Sequence, residues 1–385
     1  MKRILFVTQS YAPNIGGLAT SGTRISNTLA QLGHEVHVLA FTGEIDSGDV
    51  ETEHATGSVT VHRFGRAKQV DFTQQQALIF LEWLHQEVSF DLVWSHYAWE
   101  NGFLGIWFAE QFGIPSVLAV RGNDVDRQLF PPGDLSRLRW MLERATEIVS
   151  VSADLASKVE TLVKRKATVL HNSVDGELFS YERDQDTVDR LRDSLGIQPH
   201  EMVLAFCGEL RAKKGLPALV ECFQTTAASR PTKLLVIGDI RKKDFSFFER
   251  LLVAADLTID QVVVTGHLED QADIAAHLRV GDVFLLPSLW DGLPNSLLEA
   301  MAVGVPVVAS DAGAIGEVLT HNENGIVVPR SHLHQFAHRI DQFFSRPAKE
   351  RDAMTAKARA TIEQNHSPEL EQTRLAAIVQ RVTDG

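Results

Sequence analysis

The sequence predicts an α/β protein built as two Rossmann-like lobes, each a doubly wound parallel sheet, with a cleft between them as the natural ligand site. Three observations predict it. The length of 385 residues suits two domains of ordinary size. Short Val/Ile/Leu-rich runs alternate with helix-period stretches. That alternation breaks near 176–200 and then restarts.

In the first half the apolar runs fall at 3–8, 35–40, 59–64, 91–95, 116–120, 147–151 and 167–171. Several are nearly continuous, as in parallel strands covered on both faces. Helix-period stretches lie between most of them. In one of these, SGTRISNTLAQLG, Ser21 is the expected cap and Gly33 the expected stop. Residues 176–200 are charged and poor in β-formers, and read as a connection with a short helix. Strand-like runs then return at 202–207, 232–238, 261–266, 283–287 and 305–310. The expected domains are 1–178 and 200–365, followed by a last helix over 366–385. There is no low-complexity tract and no repeat of solenoid period.

Composition narrows the function classes. With 44% hydrophobic and 23% charged residues, the chain reads as an ordinary globular protein. Against 50 Asp plus Glu stand 37 Lys plus Arg, and the net charge of −13 argues against nucleic acid as a partner. Two cysteines, Cys207 and Cys222, make no disulfide framework and no paired metal knuckles. The N-terminal apolar run is too short for a signal peptide. The most apolar region, 103–120, is broken by Glu110, Gln111 and Pro115, so no membrane span is expected and the cytoplasm is the expected address.

Three segments carry chemistry. After the first strand, Gly16 and Gly17 lack Cβ atoms and precede a helix, so backbone N–H groups can approach an oxyanion there; a tight turn is the alternative. The segment lacks G-x-G-x-x-G, which argues against a dinucleotide enzyme. In the second lobe, GELRAKKG places Arg211, Lys213 and Lys214 between Gly208 and Gly215 at a helix start. Cations disfavour a helix N-terminus, so the cluster suits a diphosphate, with a solvated charged turn as the alternative. The third segment is LLPSLWDGLPNSLLEAMAVGVPVVAS. There a strand ends at Pro287, Asp291 sits in the loop, Pro294 suits a first turn, and a helix runs to Gly304. Asp291 and Glu299, eight positions apart, can accept from sugar hydroxyls, and amides around Leu293, Pro294 and Asn295 can bond sugar or phosphate oxygens.

This third segment resembles the E-x7-E signature of the retaining GT-B glycosyltransferases of family 4. Other parts agree in order: the Gly-Gly loop, HNSVDGELF (171–179), the G-x-L-x-x-x-K-G turn, AGAIGEVL (312–319) and NGIVVP (324–329). The resemblance spans nearly the whole chain. It implies that Lys214 contacts the donor diphosphate, that Glu299 holds ribose hydroxyls, and that Asp291, in place of a glutamate, lies near the donor sugar. The family arginine position is Glu209 here, with Arg211 two residues on as its stand-in. His267 and Leu268, after Gly266, fall where the base is lined. Where the family has H-G-x-D the chain reads Arg121-Gly122-Asn123-Asp124. An arginine stays protonated and is no general base, so Arg121 is expected to bind an anion or to pair with Asp124 or Asp126. His96 resembles the family's post-strand histidine, with a packed core histidine as the alternative. The helix-spaced Arg137, Trp140, Met141 and Arg144 resemble a face through which some relatives meet lipid, and an exposed helix with one buried edge is the alternative. The last helix is expected to cross back to the first lobe.

The resemblance thus implies hexosyl transfer with retention from a nucleotide-diphosphate sugar on the second lobe. The acceptor, on the first lobe, would be a saccharide, a lipid-linked or a small molecule. No Asp-x-Asp motif occurs, and no metal or other cofactor is expected, because amides, Lys214 and Arg211 suffice to neutralise the leaving diphosphate. Peripheral contact with a membrane is compatible with this reading. The alternatives are a nucleotide-sugar epimerase, a phosphorylase or a non-catalytic nucleotide-sugar binder.

Overall fold

A computed structural model describes the chain except Ile15, Thr56, 181–183 and Gly385. The chain forms two compact units: Met1–Asn172 with Glu369–Gly385, and Ser173–Pro368.

Unit 1 holds strands β1 (Arg3–Thr8), β2 (Glu35–Thr42), β3 (Val50–His54), β4 (Val59–Gly65), β5 (Leu92–His96), β6 (Ser116–Val120), β7 (Glu147–Ser150) and β8 (Thr168–Val169). Their order across the sheet is β3-β4-β2-β1-β5-β6-β7-β8. All neighbours are parallel except β3 and β4. Every residue of β5 and β6 is buried, which explains their unbroken apolar runs. The additional strand β3, VETEH, lies at the sheet edge with its charged side chains exposed, where they discourage pairing with another chain.

The helix Gly17–Gln31 buries Ala19, Gly22, Ile25, Ser26 and Leu29 at spacings that keep one face inward. Its N-cap is Gly16, not Ser21, whose hydroxyl lies inside the helix and donates to Leu18 O at 3.1 Å. Gly33, with φ +85°, follows the helix end. From the far end of the chain, the helix Pro368–Asp384 places Leu375, Ile378, Val379 and Val382 in the core cluster of Ile4, Phe6, Val36, Val117 and Val149. At roughly 1.5–3 kcal/mol for each large aliphatic side chain buried, that helix is integral to unit 1.

Unit 2 is a six-stranded parallel sheet of β9 (Met202–Cys207), β10 (Thr232–Ile237), β11 (Val262–Val264), β12 (Val283–Leu286), β13 (Val307–Ser310) and β14 (Ile326–Val328). Their order is β11-β10-β9-β12-β13-β14. The division falls at 172/173 rather than at the expected 178, because the charged segment is anchored to unit 2. Arg279 donates to Ser180 O at 2.7 Å and Leu178 O at 3.3 Å. The helix Gln185–Ser194 buries Val188, and its Arg192 donates to Glu201 O at 2.7 Å. Residues 181–183 of the expected connection lie outside the described residues. Among the described residues, no helix is long and apolar enough to cross a membrane.

In each sheet the strand order reverses once, between β1 and β5 in unit 1 and between β9 and β12 in unit 2. The carboxyl ends of strands at such a reversal are where open α/β sheets bind ligands.

Candidate functional site

In unit 2 the loops after β9 and β12 meet at the reversal. The first runs through Gly208 into a 3-10 turn, Ala212–Lys214, and then the helix Leu216–Ala227. The second runs from Pro287 to Pro294 and starts the helix Asn295–Ala302. Lys213 O accepts the Leu289 N–H at 2.9 Å. Gly215 sits between them at φ +77°, where an added Cβ would lie 1.9 Å from Pro287 O, so only glycine lets the turn dock. Gly313 does the same from the other side, since a Cβ there would lie 1.8 Å from Asp291 O.

This clamping brings Lys214 Nζ onto Asp291 Oδ2, an ion pair whose side chains are each 13% exposed. Ser288 Oγ adds a hydrogen bond to Asp291 at 3.3 Å. Burial pushes the Asp291 carboxyl up, but the Lys214 and Lys213 charges and these hydrogen bonds outweigh it and hold it below its usual range. Lys213 makes no ion pair among the described residues. Burial lowers its ammonium to about 8, opposed by Asp291 and reinforced by Lys214, Arg211 and Arg241.

Glu209 does not stand alone in the arginine position. Arg241 donates to it through Nε at 2.9 Å, and Arg211 approaches it at 3.3 Å. Arg241 was absent from the expected site, although its signal is in the sequence: Gly238-Asp239-Ile240-Arg241 repeats the pattern of Gly208-Glu209-Leu210-Arg211. The two loops run side by side, with Leu210 N–H donating to Asp239 O at 2.8 Å.

Asn295 and Glu299 lie four apart on one helix, hence on one face. Asn295 Oδ1 is buried without a partner among the described residues, and Glu299 is half-buried. Cys207, at the end of β9, is held well above its usual range by burial and then by the Glu299 charge, with Lys214 opposing, so both groups act on that strand end. Leu293 is buried beside Pro294. His267 is exposed and Leu268 half-buried in the loop after β11, which Thr265 ties to Gly238 N at 3.0 Å.

In unit 1 the expected residues lie in different surroundings. A Cβ at Gly16 or Gly17 would meet nothing within 4 Å among the described residues. His96 is fully buried, stacked on Phe6 and bonded through Nε2 to Ser21 Oγ at 2.9 Å. Burial first, then the Arg121 and Arg24 charges, hold it well below the usual histidine range, and therefore neutral. The Arg121 guanidinium pairs with neither Asp124 nor Asp126; it donates to Asn172 Oδ1. Asp124 instead accepts from the N–H groups of Ala98 at 2.9 Å, Arg121 at 3.0 Å and Gly122 at 2.7 Å, while Asp126 pairs with Lys158 at 2.9 Å.

Arg24, missed in the sequence, also donates to Asn172 Oδ1, at 3.2 Å, and makes a two-pronged pair with Glu371 at 2.8 and 3.0 Å. Burial and the Arg24 charge lower Arg121 to about 10. On the helix Pro132–Arg144, Met141 is buried, Arg137 pairs with Asp134, and Trp140 packs against Phe103 and Trp107 beneath Arg144. Among the described residues, no group of three or more His, Cys, Asp or Glu is arranged to hold a metal ion.

Comparison with known proteins agrees with this layout. Residues 15–178 match Glycosyltransferase Family 4, and residues 187–361 match Glycosyl transferases group 1. The N-acetyl-alpha-D-glucosaminyl L-malate synthase of Bacillus anthracis is 26% identical over 81% of this chain and 80% of its own length. The D-inositol 3-phosphate glycosyltransferase of Pseudarthrobacter chlorophenolicus is 26% identical over 89% of this chain and 85% of its own. Anabaena HepE, solved in complex with UDP-glucose, superposes with a TM-score of 0.82 at 17% identity, over 99% of this chain and 100% of its own. Two parallel-sheet units, a charged turn clamped to the Asp291 loop and matches running through both units lead to one family: the chain is a GT-B glycosyltransferase of the family 4, group 1 type.

Proposed function

We propose that the enzyme transfers a hexosyl group from a nucleotide-diphosphate sugar held by unit 2, with retention at the anomeric carbon and without a metal ion. The observation that carries this reading is the cationic turn Arg211–Lys214 clamped onto the Asp291 loop at the β9/β12 reversal. Lys214, Lys213 and Arg211 neutralise the charge that develops on the leaving diphosphate. Gly208 lets the phosphates approach the backbone. Glu299 and Asn295 Oδ1 accept hydroxyl protons of ribose and sugar, Leu293 and Pro294 shape that wall, and His267 and Leu268 flank the base.

Asp291 orients Lys214 and lies beside the reacting sugar. The C1–O bond to phosphate breaks, the bond to the acceptor oxygen forms on the same face, and the acceptor proton passes to a phosphate oxygen. In unit 1, Gly16 and Gly17 offer backbone N–H groups to the substrates. Arg121 supplies positive potential, and His96 acts as a positioning residue through Ser21.

HepE's complex makes UDP-glucose the first donor to assay. L-malate and D-inositol 3-phosphate, named for the relatives, are the first acceptors. Binding of UDP-, GDP- and ADP-sugars is read as thermal stabilisation, and the anomeric configuration of the product by NMR. Inverted product would overturn retention. EDTA is expected to leave the rate unchanged, and loss restored only by Mg²⁺ or Mn²⁺ would overturn the metal-free mechanism.

A further inference from the structure

In unit 2 the loops after β9 and β10 carry one pattern, Gly-acid-aliphatic-Arg, at 208–211 and 238–241. Backbone contact holds the two in parallel register. Gly208 N–H donates to Ile237 O at 2.8 Å, Arg241 N–H donates to Leu210 O at 3.0 Å, and Leu210 bridges Ile240. Gly238, at φ +127°, lies so close that an added Cβ would stand 2.6 Å from Gly208 O, so glycine is required for this approach. Leu210 and Ile240 turn into the core, and in extended chain their neighbours turn the other way. Glu209, Arg211 and Arg241 therefore share the outer face at the strand ends.

On that face both arginines meet Glu209. Arg241 donates to it through Nε, at 2.9 Å, and through Nη2, while Arg211 Nη1 lies 3.3 Å from Oε2. This two-pronged grip leaves Arg241 Nη1 with no partner among the described residues. The pair is partly open, with Arg241 31% and Glu209 42% exposed, so it adds little to stability. Arg241's charge also reaches the cationic turn, where it helps to depress Lys213. Together Arg211, Lys213, Lys214 and Arg241 face the carboxylates Glu209 and Asp291. That is an excess of two positive charges in a chain whose net charge is −13. The two ionised phosphates of a diphosphate ester balance it.

Resting on the nucleotide-diphosphate reading above, we infer that Arg241, on a loop separate from the cationic turn, binds the donor diphosphate, and that Glu209 is the positioning residue that aims it. Glu209 bridges two guanidiniums that would otherwise repel each other, and turns the unused edge of Arg241 toward the phosphates.

The test is calorimetric titration with UDP, GDP, ADP and inorganic pyrophosphate. Arg241→Gln is expected to lose about tenfold or more in affinity for the diphosphate that the parent binds, the size of one charged hydrogen bond. Arg241→Lys keeps the charge without the fork and should fall between the two. Glu209→Ala tests the sign. Removing a carboxylate beside the phosphates tightens binding if charge alone matters, whereas loss of aim weakens it, by about threefold or more. Adding Glu209→Ala to Arg241→Gln should then cost nothing further, because one acts through the other. Melting curves close to the parent's establish that the variants fold. Parental affinity in Arg241→Gln, unchanged or tighter binding in Glu209→Ala, or additive losses in the double variant each overturns the proposal. A parent that binds pyrophosphate but none of the nucleotides strikes the donor reading instead, and the variants are then judged on pyrophosphate by the same outcomes. Binding of none of the four overturns both.

Discussion

The strand ends at the two reversals hold the same kinds of residue in opposite states. In unit 2 the ion pairs join neighbouring loops and stay partly open, and Lys213 and Asn295 Oδ1 are left over. In unit 1, Arg24, Arg121, Asn172, Glu371 and Asp124 bond to one another or to backbone with little surface, while buried His96 bonds through Nε2 to Ser21 and its Nδ1 has no partner among the described residues. Buried charges that are fully bonded hold structure together, whereas charges left over beside a helix start await a ligand. The inner network of unit 1 therefore tethers its last helix and strand ends.

The largest expected effect tests that contrast on stability. Glu371 is 3% exposed, and Glu371→Ala strands Arg24 beside Arg121, so unfolding free energy should fall by about 3–5 kcal/mol. The partly exposed Arg241–Glu209 pair should matter little, with Arg241→Ala costing at most about 1 kcal/mol. Denaturant melts of the two variants give the comparison, and equal losses would erase the distinction between the two regions.

Turnover should show the reverse order. Lys214→Ala is expected to lower turnover about a hundredfold or more, because it removes charge from the leaving diphosphate. Near-parental turnover at saturating donor would take the lysine out of the mechanism. Arg121→Lys and Arg121→His should chiefly destabilise the protein. A large turnover loss at unchanged stability would restore Arg121 to the reacting centre.

Within unit 2, Glu299 and Asp291 should differ in kind. A carboxylate that accepts ribose hydroxyls equally in ground and transition states contributes roughly 1.5–3 kcal/mol to binding. Glu299→Ala should therefore raise donor KM with kcat little changed, and Glu299→Gln should do so more mildly. Asp291→Asn loosens the Lys214 ammonium and should lower kcat more than it raises KM. Steady-state kinetics with varied donor separate the two, and matching profiles would undo the division of roles.

How much of this was legible follows from where each contact gets its information. Strands buried on both faces announce themselves as apolar runs, whereas β3, VETEH, is polar because it is an edge. The E-x7-E-like helix and the K-G turn are local patterns, so Lys214 and Glu299 stood out. Their assembly is not local. Lys214 and Asp291 are 77 residues apart, and Arg24 and Glu371 are 347 apart. No periodicity encodes such pairings. The boundary at 172/173 was hidden because the charged segment buries only scattered apolar side chains, Val174, Phe179, Val188 and Ile197, without a helix or strand period, and is otherwise anchored by Arg279 donating to its backbone carbonyls.

The smallest expected effect concerns Lys213, an ammonium with no ion-pair partner among the described residues. Without ligand its protonation midpoint is lowered from the usual lysine range to about 8 by burial and by Lys214, Arg211 and Arg241. A diphosphate binds the charged form and raises the midpoint, so binding takes up a proton wherever the free lysine has lost one. Below pH 8 the free enzyme already carries the charge and UDP affinity should be flat. Above it, affinity should fall by up to about tenfold per pH unit, hence roughly tenfold between pH 7 and 9, until the bound-state midpoint is passed. Lys213→Arg keeps the charge but does not titrate in this range, so it should flatten the profile without weakening binding at pH 7. Calorimetry near pH 8.5 in two buffers of different ionisation enthalpy reads the proton uptake directly. An unchanged slope in Lys213→Arg, or no uptake in the parent, would show that Lys213 lies outside the phosphate's reach.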